Sequence, residues 1–519
     1  MKGLPAETDF VVIGAGVAGL RAAIQLAESG RVLVLSKKEI PNLKTPDPKS
    51  EAAWLGDEDE VSLHLQDTLD AGDGLNNLAA VKLLIEEGPQ CIEELLAWGK
   101  SHASKLTFGL ETTNTRNRLL HAQGDSTGKE LLRVLLEKAQ SLKQISIAEF
   151  VFVTELIAEA GSIAGVALLD AKGVPLEVSC SAVLMASGGM GQLYRNTTSP
   201  ETATADGVAL AYRAGAELSD LEFVQFHPTA IYMKKVPPFP LPETLREEGA
   251  YLRNFELNRF MAKYHPLGER APHDLVVRAI VHEMEVSRAK DPFVYLDLTH
   301  MKASIVQKYF SRIYNTCMAH NVDITEDVIP VRPAAQYCVG GIRTGLEGKT
   351  NIPGLYAAGE VAATGVHGAN RLPSNALLEG LVFGARAGKA MSAVKKPISR
   401  AASEPKAAYS NGPVDMAFEE IIRQIQDVMW NDVGIVRTRQ GLQKAVKTLE
   451  EMAPKVAHPK TRRAYEASNV QLAALLLARS ALAREESRGA HYRMEYPDHD
   501  DKKFQKHSVV RGDKVVFLA

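Results

Sequence analysis

The start of the chain alternates apolar runs with helix-forming segments in the order expected of a parallel sheet. The apolar run from Phe10 to Ile13 predicts a buried strand, and Leu20 to Glu28 predicts a helix. Between them lies the turn Gly14-x-Gly16-x-x-Gly19. A strand, a glycine-rich turn and a helix in direct succession are typical of the first unit of a Rossmann-like, dinucleotide-binding fold.

Each glycine of this turn has its own physical role. Gly14 permits the tight turn, Gly16 lets a pyrophosphate approach the backbone, and Gly19 lets the helix and the strand pack closely. The positive end of the helix then faces the phosphates. The predicted cofactor loop consists of Gly14, Ala15, Gly16, Val17, Ala18 and Gly19.

The second predicted strand, Arg31 to Leu35, ends without the acidic residue that usually binds the ribose of NAD. Ser36 follows instead and can hydrogen-bond a ribose, while Lys37 can contact a phosphate. Lys38 is explained equally well as a phosphate contact or as a solvated surface charge. The missing acid argues against a plain NAD site.

Further apolar runs extend the sheet and return to it much later in the chain. Ile145 to Glu155, Val166 to Leu169 and Ala182 to Ala186 predict strands, and the last leads into a glycine-rich turn, Ser187 to Gly191. In the segment Gly354 to Glu360, an apolar strand again ends at a glycine, Gly359. Strands that alternate with helices indicate an α/β sheet wound on both faces. Two such turns far apart in sequence indicate one discontinuous domain with an insertion.

The predicted insertion begins with a proline-rich stretch, Val236 to Glu243, which favours extended chain over helix. Lys395 to Val414 is rich in Pro, Ser, Ala and Lys and predicts a linker. Beyond it a helical bundle is predicted from apolar residues at helical spacing, namely Phe418, Ile421, Ile422, Ile425, Val428, Val470, Leu472, Leu475, Leu476 and Ala483. The predicted domains are the dinucleotide-binding domain in two parts (1–231 and 338–400), an inserted α+β domain (232–337) and a C-terminal helical domain (401–519).

Composition places the chain among ordinary globular proteins. It has 519 residues, 45% of them hydrophobic and 24% charged, a length that predicts about two or three domains. The net charge of -3 gives no reason to expect nucleic acid or an anionic membrane as a partner. The N-terminus lacks the apolar core of a signal peptide and no apolar segment is long enough to span a bilayer, so we expect a cytoplasmic protein. We predict buried thiols and no metal site, because no close pair or metal-ligand spacing occurs among Cys91, Cys180, Cys317 and Cys338.

A series of motifs then identifies a family. In chain order they are Leu119 to Ala122 with Ser126 to Gly128, Ala186 to Gly189, Thr204 to Gly207, Glu222 to Thr229, Leu245 to Tyr251, Gly359-Glu360, His367 to Asn375 and Glu486 to His491. Phe-His-Pro-Thr and His-Gly-Ala-Asn-Arg in this order, after an N-terminal dinucleotide turn, are highly specific together. The chain resembles the succinate dehydrogenase and fumarate reductase flavoproteins over nearly its whole length, and most closely their L-aspartate oxidase branch.

The resemblance implies FAD as the cofactor and a capping role for the inserted domain. The FAD should be bound non-covalently, because Lys37 to Asp59 contains no histidine where respiratory members attach their flavin. The implied reaction is the oxidation of L-aspartate to iminoaspartate in NAD biosynthesis, with oxygen or fumarate as electron acceptor and quinolinate synthase as a partner. Besides the N-terminal turn, Ser36 and Lys37, the residues expected at the cofactor are Ser187, Gly188, Asp206, Glu360, Ala376 and Leu377.

The resemblance also assigns roles at the substrate. Arg371 offers a planar fork for one carboxylate, and His227 can donate to the other. Glu111 precedes Leu119 at the spacing of the substrate glutamate of the L-aspartate oxidase branch, where its carboxylate would pair with the substrate ammonium. The alternative is an exposed loop glutamate. Gln336 stands at the position of a substrate histidine. Proton transfer is assigned to three residues: Glu243, Arg246 and His273.

The chain departs from the family where the chemistry is expected. Asp47 to Ser50 replaces a glycine-rich segment against the flavin, so the close approach that only glycine permits is lost. Pro242 replaces a hydroxyl donor, and Gln336 replaces a histidine. His273 replaces an arginine; it is shorter and can be neutral near pH 7, so the geometry cannot be the same. Ala376 replaces the last serine of a Ser-Asn-Ser turn, where a backbone amide can still serve the flavin pyrimidine.

These departures leave three functions open from the sequence. The first is L-aspartate oxidation. The second keeps the flavin but changes the substrate to another amino or dicarboxylic acid, or the reaction to fumarate reduction. The third is a non-catalytic homologue that acts as a binding or partner subunit, which the lost flavin-side glycines would explain.

Overall fold

The computed structural model describes residues 4–40, 52–53, 58–99, 106–109, 119–122, 127–233, 236–394 and 416–518. The strands in these residues are β1 (Phe10–Ile13), β2 (Val32–Leu35), β3 (Ala52–Ala53), β4 (Leu106–Gly109), β5 (Leu119–Ala122), β6 (Ile145–Ala148), β7 (Phe152–Glu159), β8 (Ser162–Leu169), β9 (Pro175–Ser179), β10 (Ala182–Met185), β11 (Leu218–Ser219), β12 (Val224–Ile231), β13 (Tyr251–Arg253), β14 (Val294–Asp297), β15 (Ile329–Cys338), β16 (Gly341–Arg343), β17 (Leu355–Ala357), β18 (Ala362–Ala363), β19 (Val436–Arg437), β20 (Tyr492–Arg493), β21 (His507–Arg511) and β22 (Lys514–Leu518).

The α-helices of the same residues are α1 (Val17–Leu26), α2 (Glu58–Ala71), α3 (Leu78–Gly99), α4 (Thr127–Ser141), α5 (Asp206–Arg213), α6 (Thr244–Glu247), α7 (His273–Val286), α8 (Ala303–Tyr309), α9 (Ser311–Met318), α10 (Asn375–Ser392), α11 (Met416–Asp432), α12 (Arg439–Met452), α13 (Arg462–Ala483) and α14 (Asp501–Phe504). Within the described ranges, no helix combines the length and the apolar character needed to cross a membrane.

The central sheet is parallel and confirms the α/β prediction. Its order is β17-β10-β1-β2-β6, and every pair in it is parallel. β1, β2, β10 and β17 are buried along their whole length, as expected of strands covered by helices on both faces. The glycine-rich turns follow the carboxyl ends of β1, β10 and β17, so they meet at one edge of the sheet.

Two helices that begin at this edge lie side by side. A Cβ added at Gly384 would lie 2.6 Å from the backbone oxygen of Ala18, and one at Gly388 would lie 2.8 Å from that of Ala22. Only glycine allows two helix backbones to approach this closely. Because the contacting positions rise together along both chains, α1 and α10 are parallel and their N-termini lie at the same edge.

The inserted segment forms a four-stranded antiparallel sheet in the order β12-β15-β14-β13, with its own hydrophobic core. This is the α+β unit that the sequence predicted. Its first strand begins at Val224, ahead of the expected boundary at 232, because the whole of β12 is buried and pairs with β15. The proline-rich stretch is extended as predicted, and Pro240 bridges to Ala230.

The predicted strand from Ile145 to Glu155 is in fact two strands in different sheets. β6 closes the central sheet, whereas β7 belongs to a sheet of order β7-β8-β9. Phe150 between them has a φ of 62°, a left-handed conformation that interrupts extended chain. The apolar pattern did not show this break, because both halves are apolar. The predicted linker from Lys395 to Val414 lies outside the described residues.

The C-terminal helices α11, α12 and α13 pack together as predicted, and Ile422, Ile425 and Val470 are buried among them. The expectation of helices alone was incomplete, because the hairpin of β21 and β22 follows them. β21 pairs with β11, where Val510 lies opposite Leu218, in a sheet of order β18-β16-β11-β21-β22. The C-terminal region is therefore tied into the rest of the protein by a sheet as well as by helix packing.

A buried ion network reinforces this connection. Arg484, just after α13, donates from Nε to Glu222 at 2.7 Å and from Nη1 to Glu486 at 2.9 Å. Each of these side chains is 0% exposed. Ser508 of β21 donates to the other oxygen of Glu222 at 2.7 Å. Removing one partner of such a network leaves a buried charge without compensation.

We therefore expect Glu222→Ala to lower the free energy of unfolding by about 3–5 kcal/mol. The matched control is Glu217→Ala, because Glu217 pairs with the half-exposed Arg343 and Arg511, where ion pairs contribute about 1 kcal/mol or less. Urea unfolding followed by fluorescence measures both variants. Equal losses in the two would show that the Glu222 network does not stabilise the connection.

Candidate active site

The N-terminus of α1 is an open cradle of backbone N–H groups. Gly16 is the N-cap, with φ -81° and ψ -172°, and no side chain caps the helix there. A Cβ added at Gly16 would meet nothing within 4 Å, whereas one at Gly14, where φ is +117°, would lie 2.0 Å from the backbone oxygen of Ala186. Gly14 thus shapes the turn and Gly16 keeps the space beside it clear. An anionic pyrophosphate fits this cradle, because free N–H groups and the positive helix end attract it.

The turns after β10 and β17 add polar groups at the same edge. A Cβ added at Gly188 would meet nothing within 4 Å, and Ser187 Oγ is buried without a hydrogen-bond partner among the described residues. Glu360 accepts a hydrogen bond from the backbone N–H of Cys338 at 3.1 Å. Burial raises the pKa of Glu360 to about 7. An unpartnered hydroxyl and a carboxyl group close to its neutral form both suit the hydroxyl groups of a cofactor.

The N-terminus of α10 offers a second set of backbone donors. No side chain caps this helix at Ser374, whose Oγ is buried and has no partner in the part of the chain that is described. Asn375 is held by α2 instead, donating to Thr68 Oγ1 at 2.9 Å. The N–H groups of Ala376 and Leu377 lie in the first turn, where a helix supplies no acceptor of its own. They fit the predicted contact with the flavin pyrimidine.

Lys37 and Asp206 form an ion pair at the end of β2. Lys37 Nζ contacts Thr204 Oγ1 at 2.5 Å, Asp206 Oδ2 at 2.6 Å and Glu466 Oε1 at 3.3 Å. An ammonium group has three N–H donors, and these acceptors take all of them. The expected contact between Lys37 and a phosphate is therefore not what the geometry favours. Lys37 instead holds the Asp206 carboxylate in place.

Ser36 and Lys38, on either side of Lys37, both interact with other groups of the protein. Ser36 Oγ donates to the backbone oxygen of Lys38 at 2.7 Å, so a ribose hydroxyl would have to donate to Ser36 rather than accept from it. Lys38 forms an exposed ion pair with Glu201 at 2.6 Å. Of the two explanations that the sequence left open for Lys38, this geometry favours the surface charge.

A cavity of about 580 Å³ lies where α2, β12, α6, α7 and the segment before α10 meet. It brings together the predicted residues Glu243, Arg246, His273 and Arg371. The rest of its lining is strongly charged and includes Asp70, Asp73, Glu247, Glu269, Arg270 and Asp274. A concave site with converging charged groups suits a small, charged substrate.

His273 begins α7 and is held at both ring nitrogens. Nδ1 contacts Glu243 Oε1, and Nε2 lies 2.7 Å from the backbone oxygen of Phe226. Both partners are hydrogen-bond acceptors, so a ring that donates to both must carry both protons. Arg246 adds a second cation, with Nη2 3.6 Å from the same Glu243 oxygen. Glu243 therefore lies between the guanidinium of Arg246 and the imidazole of His273, and we name Arg246, Glu243 and His273 the relay.

The central carboxylate of the relay is strongly stabilised in its charged form. Burial alone would raise the pKa of Glu243, but the charge and hydrogen bond of His273 and the charge of Arg246 hold it well below its usual range. Arg246 also donates to the backbone oxygen of Glu269 at 2.8 Å, which limits its movement. A carboxylate hydrogen-bonded to an imidazole can exchange a proton with it, whereas the neighbouring guanidinium keeps its protons.

Arg371 is buried and only partly satisfied. Its Nη2 donates to Gln225 Oε1 at 2.9 Å and its Nη1 to the backbone oxygen of Pro373 at 2.6 Å. The guanidinium carbon lies 4.1 Å from the centre of the Tyr337 ring. Nε has no partner among the described residues, and burial lowers the pKa of Arg371. An oriented cation that lacks full compensation is a suitable anchor for a substrate carboxylate.

Two predicted substrate residues lie near the cavity without belonging to its described lining. The His227 ring centre is 5.9 Å from that of His273. His227 Nδ1 accepts from the backbone N–H of Thr229 at 3.2 Å, so Nε2 carries the proton. Gln336 lies where the register between β12 and β15 shifts, and its Oε1 is buried with no partner in the described residues. Glu111 lies outside the described residues.

The other departures have different consequences. Pro242 accepts the backbone N–H of Leu245 at 3.2 Å and begins the turn into α6, so it shapes the loop that carries Glu243. Ala376 has no side-chain hydroxyl, but its backbone N–H is in place at the start of α10. The segment Asp47 to Ser50, whose lost glycines raised doubt about the flavin, lies outside the described residues.

The residue that orients Arg371 was not apparent from the sequence. Gln225 accepts from Arg371 Nη2 and donates from Nε2 to the backbone oxygen of Arg371 at 2.8 Å and to Asn370 Oδ1 at 3.1 Å. The available signal was a polar residue inside β12, a strand that is buried throughout. A buried amide needs partners, and such a residue is rarely there for packing alone.

Comparisons with known families agree with this geometry. The profile of the FAD binding domain family matches residues 9–377, and the profile described as fumarate reductase flavoprotein C-term matches residues 422–516. The cofactor is FAD. The open N-termini of α1 and α10, the unpartnered Ser187 hydroxyl and Glu360 are the groups that fit it.

Several known proteins are similar to the chain over almost its whole length. It is 39% identical to the L-aspartate oxidase of Streptomyces coelicolor, over 97% of this chain and 91% of that protein. It is 37% identical to that of Nostoc sp., over 98% of this chain and 94% of that protein. It is 38% identical to the chloroplastic L-aspartate oxidase of Arabidopsis thaliana, over 94% of this chain and 81% of that protein.

Solved structures show the same architecture. The E. coli quinol fumarate reductase FrdA is similar with a TM-score of 0.84 at 28% identity, over 99% of this chain and 96% of that chain. Mycobacterium smegmatis Sdh1 is similar with a TM-score of 0.84 at 31% identity, over 99% of this chain and 94% of that chain. With its motifs, fold and relatives in agreement, the chain belongs to the L-aspartate oxidase family, within the succinate dehydrogenase and fumarate reductase flavoproteins.

Proposed function

We propose that this protein uses FAD to oxidise L-aspartate to iminoaspartate, a reaction of NAD biosynthesis. The observation that carries the proposal is the buried Arg371, oriented by Gln225, in one cavity with the relay of Arg246, Glu243 and His273. The relatives named above are L-aspartate oxidases of bacteria and of a plant. The geometry and the relatives support the same reaction.

Substrate binding rests on opposite charges. Arg371 holds one carboxylate of aspartate through its uncompensated donors, and His227 donates from Nε2 to the other. Glu111 remains the predicted partner of the ammonium group. A substrate held at both carboxylates presents its Cα–H in a single direction, and such positioning can supply about 7–11 kcal/mol of the barrier in favourable cases.

The protein's chemical task is to handle the proton, since FAD, when bound, supplies hydride acceptance. Formation of the imine releases a proton from the substrate nitrogen. We assign its uptake to the relay with His273 singly protonated: the proton passes through the Glu243 carboxylate to the unprotonated Nδ1 of His273, which then donates to Glu243, and Arg246 keeps Glu243 in position from the other side. Three predicted residues, Glu243, Arg246 and His273, thereby act together.

We propose oxygen or fumarate as the electron acceptor. Fumarate is a dicarboxylate like aspartate, so Arg371 and His227 can anchor either molecule at the same place. We also propose quinolinate synthase as a partner, because an imine hydrolyses in water and direct transfer to the next enzyme would protect it. A cytoplasmic location remains a prediction from the sequence.

A second candidate is oxidation of a related amino or dicarboxylic acid by the same machinery. The observation that favours it is the buried Gln336 Oε1, which has no partner among the described residues. An amide oxygen accepts a hydrogen bond from a donor, whereas the histidine expected here would itself donate to a carboxylate. A substrate with an amide or hydroxyl group in place of one carboxylate would suit Gln336 better than aspartate does.

The test of the proposed function is anaerobic reduction of the purified flavoprotein. Acid precipitation should release the FAD into the supernatant, as expected of non-covalent binding. L-aspartate should abolish the visible absorbance of the bound flavin, and oxygen or fumarate should restore it. L-asparagine, succinate and D-aspartate are the comparison substrates. Reduction by L-asparagine or succinate and not by L-aspartate would support the second candidate, and no reduction by any amino or dicarboxylic acid would refute both.

Gly16→Ala should separate folding from cofactor binding. The new Cβ meets no protein atom within 4 Å, so the unfolding temperature of the apoprotein should stay the same. The Cβ would occupy the space in which a pyrophosphate approaches the backbone, so FAD affinity should fall about tenfold or more. Gly19→Ala is the contrasting variant, because its Cβ would lie 2.0 Å from the backbone oxygen of Gly14 and should destabilise the apoprotein itself. Unchanged FAD titration of Gly16→Ala would exclude the α1 cradle.

Replacing His273 with a residue that has no hydrogen-bond donor should slow the reaction, whereas replacing it with arginine should not. His273→Leu leaves Glu243 without its Nδ1 partner, so kcat for aspartate should fall by about 100-fold or more. His273→Arg keeps a cation able to donate to both acceptors, so kcat should match or exceed that of the wild type. FAD content measured on each variant controls for cofactor loss. A His273→Leu enzyme with wild-type kcat would remove His273 from the relay.

A further inference from the structure

One face of the C-terminal helix α13 lies directly against the predicted cofactor residues Lys37 and Asp206. Arg462, Glu466 and Asn469 occupy this face at the i, i+4 and i+7 spacing of a helical stripe. Arg462 Nη1 donates to the backbone oxygen of Lys37 at 2.7 Å. The helix that ends in the Arg484 network therefore begins beside the dinucleotide-binding sheet.

Asn469 provides the most direct contact. Its Nδ2 donates to Asp206 Oδ1 at 2.8 Å, and its Oδ1 accepts from Arg213 Nη1 at 2.5 Å. Asn469 is only 1% exposed. The amide is therefore fixed in orientation by Arg213 on one side and delivers its donor to the Asp206 carboxylate on the other.

Glu466 contacts Lys37, which is itself paired with Asp206. Its Oε1 lies 3.3 Å from Lys37 Nζ, while Oε2 accepts from Arg463 Nη1 at 2.8 Å. Burial works against the charge, but Lys37, Arg463 and Arg462 hold the pKa of Glu466 below its usual value. Lys37 is thus held between the Asp206 and Glu466 carboxylates, one from the dinucleotide-binding region and one from α13.

Counting hydrogen bonds shows what this arrangement leaves for a ligand. A carboxylate has about four acceptor positions. Asp206 uses three of them, for Lys37 at 2.6 Å, Thr204 at 3.0 Å and Asn469 at 2.8 Å. The remaining position can accept from a hydroxyl or amino group, and both occur in the adenosine half of FAD.

We propose that α13 is part of the FAD site, with Asn469 as a positioning residue that orients Asp206 toward the adenosine half of the cofactor. FAD binding and docking of the C-terminal helices are then thermodynamically coupled, since each favours the same arrangement of Asp206 and Lys37. This inference rests on FAD as the cofactor and goes beyond the reaction proposed above. It assigns a cofactor role to a helix outside the segment that matches the FAD binding domain family.

The experiment is FAD titration of the apoprotein, followed by flavin fluorescence, in three variants. Asn469→Ala removes the donor to Asp206 and should weaken FAD binding by about tenfold. Asn469→Asp keeps the acceptor for Arg213 but places a carboxylate against Asp206, so binding should weaken further. Gln471→Ala is the matched control, because Gln471 is also buried on α13 but donates to the backbone oxygen of Leu449 at 2.7 Å, away from the cofactor.

The outcomes separate positioning from general stability. All three variants should lower the unfolding temperature of the apoprotein, but only the Asn469 variants should change the dissociation constant of FAD. Equal affinity in wild type, Asn469→Ala and Asn469→Asp would overturn the inference, as would an equal loss of affinity in Gln471→Ala. If the wild type bound no FAD at all, that result would refute the proposed function and not only the role of Asn469.

Amide hydrogen exchange on the wild-type protein gives a second measurement that needs no variant. Reciprocal coupling requires that FAD slow exchange in α13 as well as in α1 and α10. Protection confined to α1 and α10, with none in Arg462–Ala483, would contradict the proposal even if the Asn469 variants did not fold.

Discussion

The close parallel contact between α1 and α10 is the constraint on which the rest of the site depends. Glycines at 384 and 388 let the two backbones meet at distances that any side chain would prevent. The contact places two uncapped helix N-termini at one edge of the parallel sheet, where their partial positive charges add. One end of a long, anionic cofactor can then meet α1 while its flavin meets α10. The capping sheet adds the substrate cavity beside a cofactor site whose two helix N-termini are already fixed by this contact.

Charge compensation governs the cavity beside that edge. Glu243 lies between Arg246 and His273, whereas Arg371 has polar neighbours but, among the residues that the structure describes, no carboxylate bound directly to it. The difference matters because a buried charge is expensive unless it is paired. In the proposed reaction, the relay is already hydrogen-bonded before the substrate binds, and Arg371 gains a carboxylate partner when the substrate binds. Binding energy is therefore directed to the group that holds the substrate, and the proton-handling group stays fixed.

Local signals in the sequence predicted the parts of the structure that local physics determines. The turn at Gly14 and Gly16 was visible because a strand, a tight turn and a helix require those residues at that spacing. The contacts of Lys37 with Asp206 and Glu466 were not visible, because both carboxylates lie far away along the chain. Gln225 and the β21 and β22 hairpin were missed for the same reason, because each depends on a partner that only the folded chain supplies. The break at Phe150 was missed because the residues on both sides of it are apolar.

The surroundings of His273 show what this position requires of the side chain that occupies it. His273 begins a helix and meets two acceptors, Glu243 and the backbone oxygen of Phe226, that belong to α6 and β12. Those acceptors are positioned by the capping sheet, so any donor that reaches both can occupy the place. Histidine meets this requirement only while doubly protonated, whereas arginine meets it at any pH. Position 273 therefore faces two fixed acceptors that histidine can meet in one protonation state and arginine in every state.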